Sequence, residues 1–290
     1  MSDNKEQTGS TSASSTTKPS SSGLSGLLVR AASGLIYAGI FIMCLIIHPV
    51  TTAFCLAVIS MISCREFFGM MRRDGKMPHV IIGSCVAALF PIAALGGSLY
   101  ITATMFALVL AVGLWYVWSP RTRIMDVSVT LMGPIYTGFM LSAIVLLRDL
   151  LPGVPGALLA VGACASLWVS DSFAYLVGSR FGKHKMVPKI SPNKSWEGFA
   201  GGVVGSILIW LILFATGLFI FSWQFAVVCG AVVSVLGVFG DLIESRIKRG
   251  AGVKDSGNLI PGHGGMLDRN DSLIFGGITA LLMLMFGGIL

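Results

Sequence analysis

The chain has 290 residues, of which 54% are hydrophobic and 11% are charged, and its formal net charge is +7. Soluble domains contain about 25% charged residues, so this composition excludes an ordinary soluble domain. Repeated apolar runs near twenty residues predict membrane-spanning helices, because a helix satisfies its own backbone hydrogen bonds in lipid. These spans use up most of the length, so chemistry is expected in loops and at helix ends.

The basic net charge has a simpler explanation than nucleic-acid binding. In a membrane protein, an excess of Lys and Arg sets the topology and contacts anionic headgroups. Nucleic acid is therefore not an expected partner. The six cysteines are scattered, mostly within apolar runs, and show no C-x-x-C spacing. This pattern favours packing over zinc binding or a disulfide framework.

In chain order, residues 1–23 are rich in Ser and Thr and predict a disordered tail. The rest predicts an all-α polytopic membrane protein of about nine transmembrane helices. An N-terminal transmembrane scaffold is expected over 24–150, and a catalytic transmembrane half over 151–290. The predicted spans are 31–48, 50–64, 79–97, 99–118, 127–147, 156–178, 199–221, 224–244 and 272–290.

The distribution of basic residues predicts how these helices are oriented. With the N-terminus in the cytoplasm, nineteen of the 20 Lys and Arg residues fall inside and only Arg148 falls outside. Cytoplasmic segments carry such an excess, so both polar loops of the second half are expected on the cytoplasmic face. The first half has few polar residues in its spans. Arg65 and Glu66 are interpreted there as interfacial side chains.

The first polar loop, residues 178–202, contains the stretch ISPNKSWEG over 190–198. The stretch combines hydroxyl groups, a lysine, an aromatic ring and an acid. The ammonium and hydroxyl groups can donate hydrogen bonds to phosphate oxygens, and the ring can stack on a base. Ser195 precedes an apolar segment and fits a helix start directed at an anion. The alternative is a topology signal that contacts lipid headgroups. The loop does not match a Walker A motif.

The second polar loop, residues 245–272, and the helix that leads into it carry acids that point to a metal site. Four residues share one face of the helix that leads into it: Asp241, Glu244, Ser245 and Lys248. Asp268 and Asp271 stand three apart at its far end, and a helix cap would explain only one of them. Carboxylates at two helix ends, among cations and glycines, predict a Mg²⁺ site that handles phosphate.

Asp171 lies inside the sixth predicted span, where a carboxylate is costly and usually functional. A buried carboxylate bonded to neighbouring helices is the alternative interpretation. Lys248, Lys254 and Arg269 are expected to balance the charge of a leaving pyrophosphate.

Three motifs carry a resemblance to a known family. They are D-S-F-A-Y-x-x-G-x-x-F-G-K, I-S-P-N-K-S-W-E-G, and S-x-x-K-R-x4-K-D-x-G-x2-I-P-G-H-G-G-x-x-D-R-x-D, which runs from Ser245 to Asp271. The chain resembles the phosphatidate cytidylyltransferases, or CDP-diacylglycerol synthases, over about residues 165–290. Asn270 departs from the aliphatic residue or threonine that is usual at this position.

The resemblance implies transfer of CMP from CTP to phosphatidic acid, which gives CDP-diacylglycerol and pyrophosphate in phospholipid biosynthesis. It implies Mg²⁺, with a second cation left open, and metal ligation by Asp241, Asp268 and Asp271. His263 is expected among the catalytic residues, together with the three cations above. The expected substrate-binding residues are Asp171, Ser191, Pro192, Lys194, Ser195, Glu197, Glu244 and Ser245.

The expected partners are CTP, phosphatidic acid and membrane lipid, with a homodimer left open. The expected location is a bacterial inner (cytoplasmic) membrane, as an integral multi-pass protein. Two rival functions stay open at this point. A CTP-using lipid kinase would transfer the γ-phosphoryl group, and a cation-coupled transporter would consume no CTP.

Overall fold

The computed structural model describes residues 24–259 and 264–287, with side chains from residue 32 onward. A π-helical turn, Ile135–Phe139, joins the helix Ile124–Pro134 to the helix Met140–Asp149 in one continuous span. The helices are α1 (Leu24–Ile47), α2 (Pro49–Arg73), α3 (Val80–Ala94), α4 (Ser98–Trp118), α5 (Ile124–Pro134), α6 (Met140–Asp149), α7 (Val154–Phe181), α8 (Trp196–Ala215), α9 (Trp223–Gly250) and α10 (Leu267–Phe286).

The helices confirm the prediction of an all-α polytopic membrane protein. Within the described residues, seven helical segments are long and apolar enough to cross a membrane, and residues 32–47 and 80–94 form shorter apolar helices. Each of the nine predicted spans overlaps one of these segments. The number of crossings and their orientation stay predictions. The predicted tail, residues 1–23, lies outside the described residues.

The second helix is longer than its apolar run. The sequence predicts a span over 50–64, but α2 continues from Pro49 to Arg73. Its start is a tight turn, in which the His48 ring accepts a hydrogen bond from the Val50 N–H at 3.2 Å. Because α2 extends past Arg65, the Glu66 side chain projects from a helix that is packed against its neighbours.

The first polar loop contains a small antiparallel hairpin that the sequence does not predict. Strand β1 (Lys185–Val187) pairs with β2 (Ser191–Ser195), and α8 begins at the next residue. Helices α7 and α8 approach each other closely behind it. A Cβ atom on Gly198 would lie 2.7 Å from the Ala174 carbonyl oxygen, so a side chain there would force the helices apart.

Arg148 is the one basic residue on the predicted outer side, and the fold gives it a structural role. Its side chain is buried, and its Nε donates to the Leu45 carbonyl oxygen at 2.6 Å. Nη2 donates to the Ile46 carbonyl oxygen at 3.4 Å. The last carbonyls of a helix lack intrahelical partners. Arg148 therefore caps the end of α1.

Candidate active site

The structure brings the two polar loops of the second half together. Lys194 on β2 forms an ion pair with Asp241 on α9, with Nζ and Oδ2 2.5 Å apart. Arg249, near the end of α9, donates from Nε to the Ile190 carbonyl oxygen at 3.4 Å. Residues that are about 50 positions apart in sequence thus form one site at one end of the helix bundle.

Three carboxylates from α9 and α10 form a compact acidic cluster. One oxygen from each of Asp241, Glu244 and Asp271 lies within 4.8 Å of the other two. Glu244 is fully buried, and among the described residues neither of its carboxylate oxygens accepts a hydrogen bond of regular geometry. Lys248 is close enough for an ion pair with it, but outside that geometry. Lys194 pairs with Asp241 and Lys248 pairs with Glu244, but Lys248 also serves Asp268, so the cluster keeps negative charge that suits a further cation.

Asp268 has different neighbours from this cluster. Its Oδ1 accepts a hydrogen bond from Lys248 Nζ at 2.7 Å. Its Oδ2 accepts from the Gly265 N–H at 2.7 Å and from both the N–H and the Oγ of Ser256 at 2.9 Å. Asp268 thus fixes the second loop against the start of α10. Its expected metal ligation stays a prediction, and the geometry adds Glu244 to the candidate ligands.

A cavity of about 240 Å³ lies beside the Lys194–Asp241 pair. Its lining includes the charged residues Asp171, Lys194 and Asp241. It also includes apolar side chains, from Ala174, Tyr175, Met186, Phe199 and Val238. The Ser272 hydroxyl donates to Asp171 at 3.3 Å and so connects this acid to α10. Two acids and one lysine line the cavity, so an anion bound there would need positive charge in addition to Lys194.

The predicted helix start at Ser195 is confirmed. Its Oγ accepts a hydrogen bond from the Gly198 N–H at 3.2 Å, which makes Ser195 the cap of α8. Glu197 pairs with His184, with Oε1 and Nδ1 2.6 Å apart. Ser191 and Pro192 lie at the beginning of β2. These residues shape the hairpin around Lys194, and any substrate contact they make stays a prediction.

The remaining predicted residues lie around this core. Ser245 donates to Asp241 Oδ1 at 3.2 Å, and Lys248 is held between two acids. Lys254 and Arg269 are exposed at the same end of α9 and α10. His263, expected among the catalytic residues, lies outside the described residues.

Two residues of the first half reach the start of α10. Tyr37 was not singled out from the sequence, and Glu66 was interpreted only as an interfacial side chain. Glu66 accepts hydrogen bonds from the Met266 and Leu267 amides. The Tyr37 hydroxyl donates to Asn270 Oδ1 at 2.8 Å, and the Asn270 amide donates to the Met266 carbonyl. The unusual Asn270 is therefore buried with both ends of its amide satisfied. No local sequence pattern predicts either contact, because the partners are more than 190 residues apart.

The sequence model of the Cytidylyltransferase family matches residues 28–286, which is most of the chain. The chain belongs to this family. Family membership and the multi-pass helical fold agree with the resemblance seen in the three motifs.

Several curated relatives carry the name phosphatidate cytidylyltransferase. One from Bacillus subtilis is 47% identical over 113 residues, which cover 39% of this chain and 42% of the relative. Phosphatidate cytidylyltransferase 5, chloroplastic, from Arabidopsis thaliana is 37% identical over 79% of this chain and 64% of its own length. One from Thermotoga maritima is 35% identical over 71% of this chain and 76% of its own length. The chain thus spans less than two thirds of the first two relatives.

Proposed function

We propose that the protein is a phosphatidate cytidylyltransferase, which transfers CMP from CTP to phosphatidic acid and forms CDP-diacylglycerol and pyrophosphate. Family membership and the names of the relatives support this reaction. The observation that carries it in the structure is the Lys194–Asp241 pair. This pair joins the first polar loop to α9, which leads into the second polar loop, beside a cavity lined by both charged and apolar side chains.

The reaction needs anions to be positioned rather than a new nucleophile. A phosphate oxygen of phosphatidic acid attacks the α-phosphorus of CTP and forms the new P–O bond. The bond from that phosphorus to the bridging oxygen of the β-phosphate breaks, and pyrophosphate leaves with the electron pair. Lys194 is the cation placed to hold a phosphate beside the acidic cluster. Holding two anions in line supplies much of the catalysis in phosphoryl-transfer enzymes.

Mg²⁺ is the proposed cofactor. Asp241, Glu244 and Asp271 offer the clustered carboxylate oxygens that this hard cation prefers, and Lys194 and Lys248 do not balance the charge of all three. When bound, the ion would supply positive charge against the substrate phosphates. Asp268 is linked to this set through Lys248, which contacts both Asp268 and Glu244. A second cation stays a prediction.

The cavity supports phosphatidic acid as its occupant. Its volume of about 240 Å³ lies below the range of about 300–1,000 Å³ that is usual for drug-sized ligands. A phosphate and glycerol unit is small enough for such a space, and the acyl chains would extend from it past the apolar lining residues. We place CTP on the loop side of the pair, near the exposed Lys254 and Arg269.

The proposed location is a bacterial inner membrane, with the site on the cytoplasmic face. The excess of Lys and Arg in the segments predicted to be cytoplasmic supports this orientation. The Arabidopsis relative is described as chloroplastic, so a chloroplast membrane is the competing location. A homodimer remains a prediction, which the mass of the purified protein in detergent would test.

Labelled CTP tests the proposed reaction. The purified protein is incubated with phosphatidic acid, Mg²⁺ and CTP that carries ³²P on either the α- or the γ-phosphate. We expect α-label in the lipid fraction and γ-label in pyrophosphate. The γ-label would enter the lipid if the protein were a kinase. Transport without CTP consumption would favour the transporter.

A further inference from the structure

Glu66 lies on α2 in the first half of the chain, yet its carboxylate contacts the start of α10. Oε1 accepts a hydrogen bond from the Met266 N–H at 3.0 Å, and Oε2 accepts from the Leu267 N–H at 2.8 Å. Oε2 also accepts from the Ser256 hydroxyl at 3.1 Å. One side chain therefore holds both the second polar loop and the helix that follows it.

The start of α10 needs an acceptor from elsewhere in the fold. The first amides of a helix have no intrahelical partners. Met266 precedes α10, and its own side chain forms no capping hydrogen bond. Glu66 accepts from two of these amides, and its negative charge suits the positive end of the helix dipole. This contact replaces the usual local cap with one from 200 residues away.

The loop is shaped to let Glu66 approach. A Cβ atom on Gly257 would lie 2.5 Å from Glu66 Oε1, and one on Gly265 would lie 2.5 Å from Oε2. Side chains at these positions would collide with the carboxylate. Glycine at both positions allows the backbone to reach the acid directly.

The same contact extends to the acidic cluster through Ser256 and Asp268. The Ser256 hydroxyl lies 3.1 Å from Glu66 Oε2 and 2.9 Å from Asp268 Oδ2, and its single hydrogen can serve only one acid at a time. Asp268 then bonds Lys248. Asp271 lies one helical turn beyond Asp268 on α10, so the position of this turn determines where the Asp271 carboxylate meets α9.

We propose that Glu66 is a positioning residue, which holds the start of α10 so that Asp271 meets Asp241 and Glu244. The proposal rests on the proposed function, because its effect on turnover is measured in that reaction. Glu66 does not itself contact the cluster. It makes the first half of the chain part of the active-site framework, in addition to its role as a scaffold.

Glu66→Gln is the test variant, because it keeps the size of the side chain and one acceptor oxygen. Its NH₂ group faces hydrogen-bond donors, so at least one of the bonds is lost. Asp126→Asn is the matched control. Asp126 is also a buried acid of the first half, and it accepts from the Met77 N–H at 2.7 Å and the Arg123 N–H at 3.1 Å, at the start of α5.

We expect Glu66→Gln to lower kcat about 10- to 100-fold, since a misplacement of about 1 Å can cost a factor of about 100. The Mg²⁺ concentration for half-maximal rate should rise, while the KM for CTP changes less. Amide hydrogen exchange measured by mass spectrometry should be faster in the peptide that contains Met266 and Leu267. Asp126→Asn should leave kcat, the Mg²⁺ requirement and the exchange rate of this peptide near their wild-type values.

Wild-type kcat and Mg²⁺ requirement in Glu66→Gln would overturn the proposal. So would equal losses of kcat in the two variants, because these would indicate general destabilisation. A failure of the proposed function has a separate signature, in which the wild-type protein itself forms no CDP-diacylglycerol. The exchange measurement still tests the Glu66 contact in that case, and unchanged exchange would overturn it.

Discussion

Two buried acids, one from each half of the chain, have different kinds of partner. Asp126 in the first half is satisfied by backbone amides from the α2–α3 connection and the start of α5. Glu244 in the second half is equally inaccessible, but among the described residues its oxygens accept no regular hydrogen bonds. Backbone donors satisfy Asp126 within the fold, whereas Glu244 depends on the charge of Lys248 and suits a further cation. Burial alone therefore does not distinguish these two acids, but the chemistry of their partners does.

Glu66 crosses the boundary between the halves. It has the backbone partners of a structural acid, but those partners belong to the loop and helix that carry the acidic cluster. Tyr37 makes a second contact of this kind through Asn270, which directly precedes Asp271. Both contacts join the first half of the chain to the start of α10.

Of the proposed substitutions, Asp241→Asn should lower kcat the most, and it compares an acid of the cluster with the backbone-bonded Asp126. Asp241 contacts Lys194 and belongs to the cluster, so the variant loses charge at the centre of the site. A bound metal ion stabilises the charge of the transition state by several kcal/mol, and each step of about 1.36 kcal/mol changes the rate tenfold. We therefore expect kcat to fall by at least about 100-fold. Asp126→Asn is again the control, with kcat near wild type. Near-normal turnover in Asp241→Asn would remove the basis for the metal assignment.

Lys194→Met should show the next largest effect. The variant removes the cation beside the cavity, and a hydrogen bond to a charged group is worth about 1.5–3 kcal/mol, or roughly 10- to 100-fold. The loss should appear in kcat/KM for phosphatidic acid, measured by release of pyrophosphate. Lys189→Met changes an exposed lysine of the same loop and should have little effect. Equal effects of the two variants would mean that the loop acts only through its overall charge.

Tyr37→Phe should show the smallest effect, and on stability more than on activity. The variant leaves buried Asn270 Oδ1 without its donor, which costs about 1 kcal/mol, since hydrogen bonds in membrane proteins average about 0.6 and reach about 1.7 kcal/mol. The free energy of unfolding in mixed detergent measures this cost. The double variant Tyr37→Phe with Asn270→Leu should recover part of it. An unchanged stability in Tyr37→Phe would show that the contact does not support α10.

Local sequence patterns predicted the helices, and the distribution of basic residues predicted that the two polar loops lie on the same side. Apolar runs gave the membrane helices, and helical spacing placed Asp241, Glu244 and Lys248 on one face. Charge counting placed both polar loops at one end of the bundle. The Lys194–Asp241 pair is consistent with that placement.

The features that sequence reasoning missed depend on long-range packing or on polar side chains. The α2 helix extends past the apolar run because packing continues through Phe67 and Phe68 after the charged pair. The β1–β2 hairpin is short and mostly polar, so no strand alternation identifies it. Glu66 is assigned its role by contacts 200 residues away. Glu244 was expected to bind substrate, and its place in the acidic cluster emerges only when α10 packs beside α9.

The most direct test of the central claim is to count α-labelled lipid and released pyrophosphate in the same reaction. Purified protein receives phosphatidic acid, [α-³²P]CTP and Mg²⁺, and both products are measured over one time course. The account predicts one labelled CDP-diacylglycerol for each pyrophosphate, with both products lost when Mg²⁺ is chelated. Unlabelled lipid, or labelled lipid formed without pyrophosphate, would contradict it.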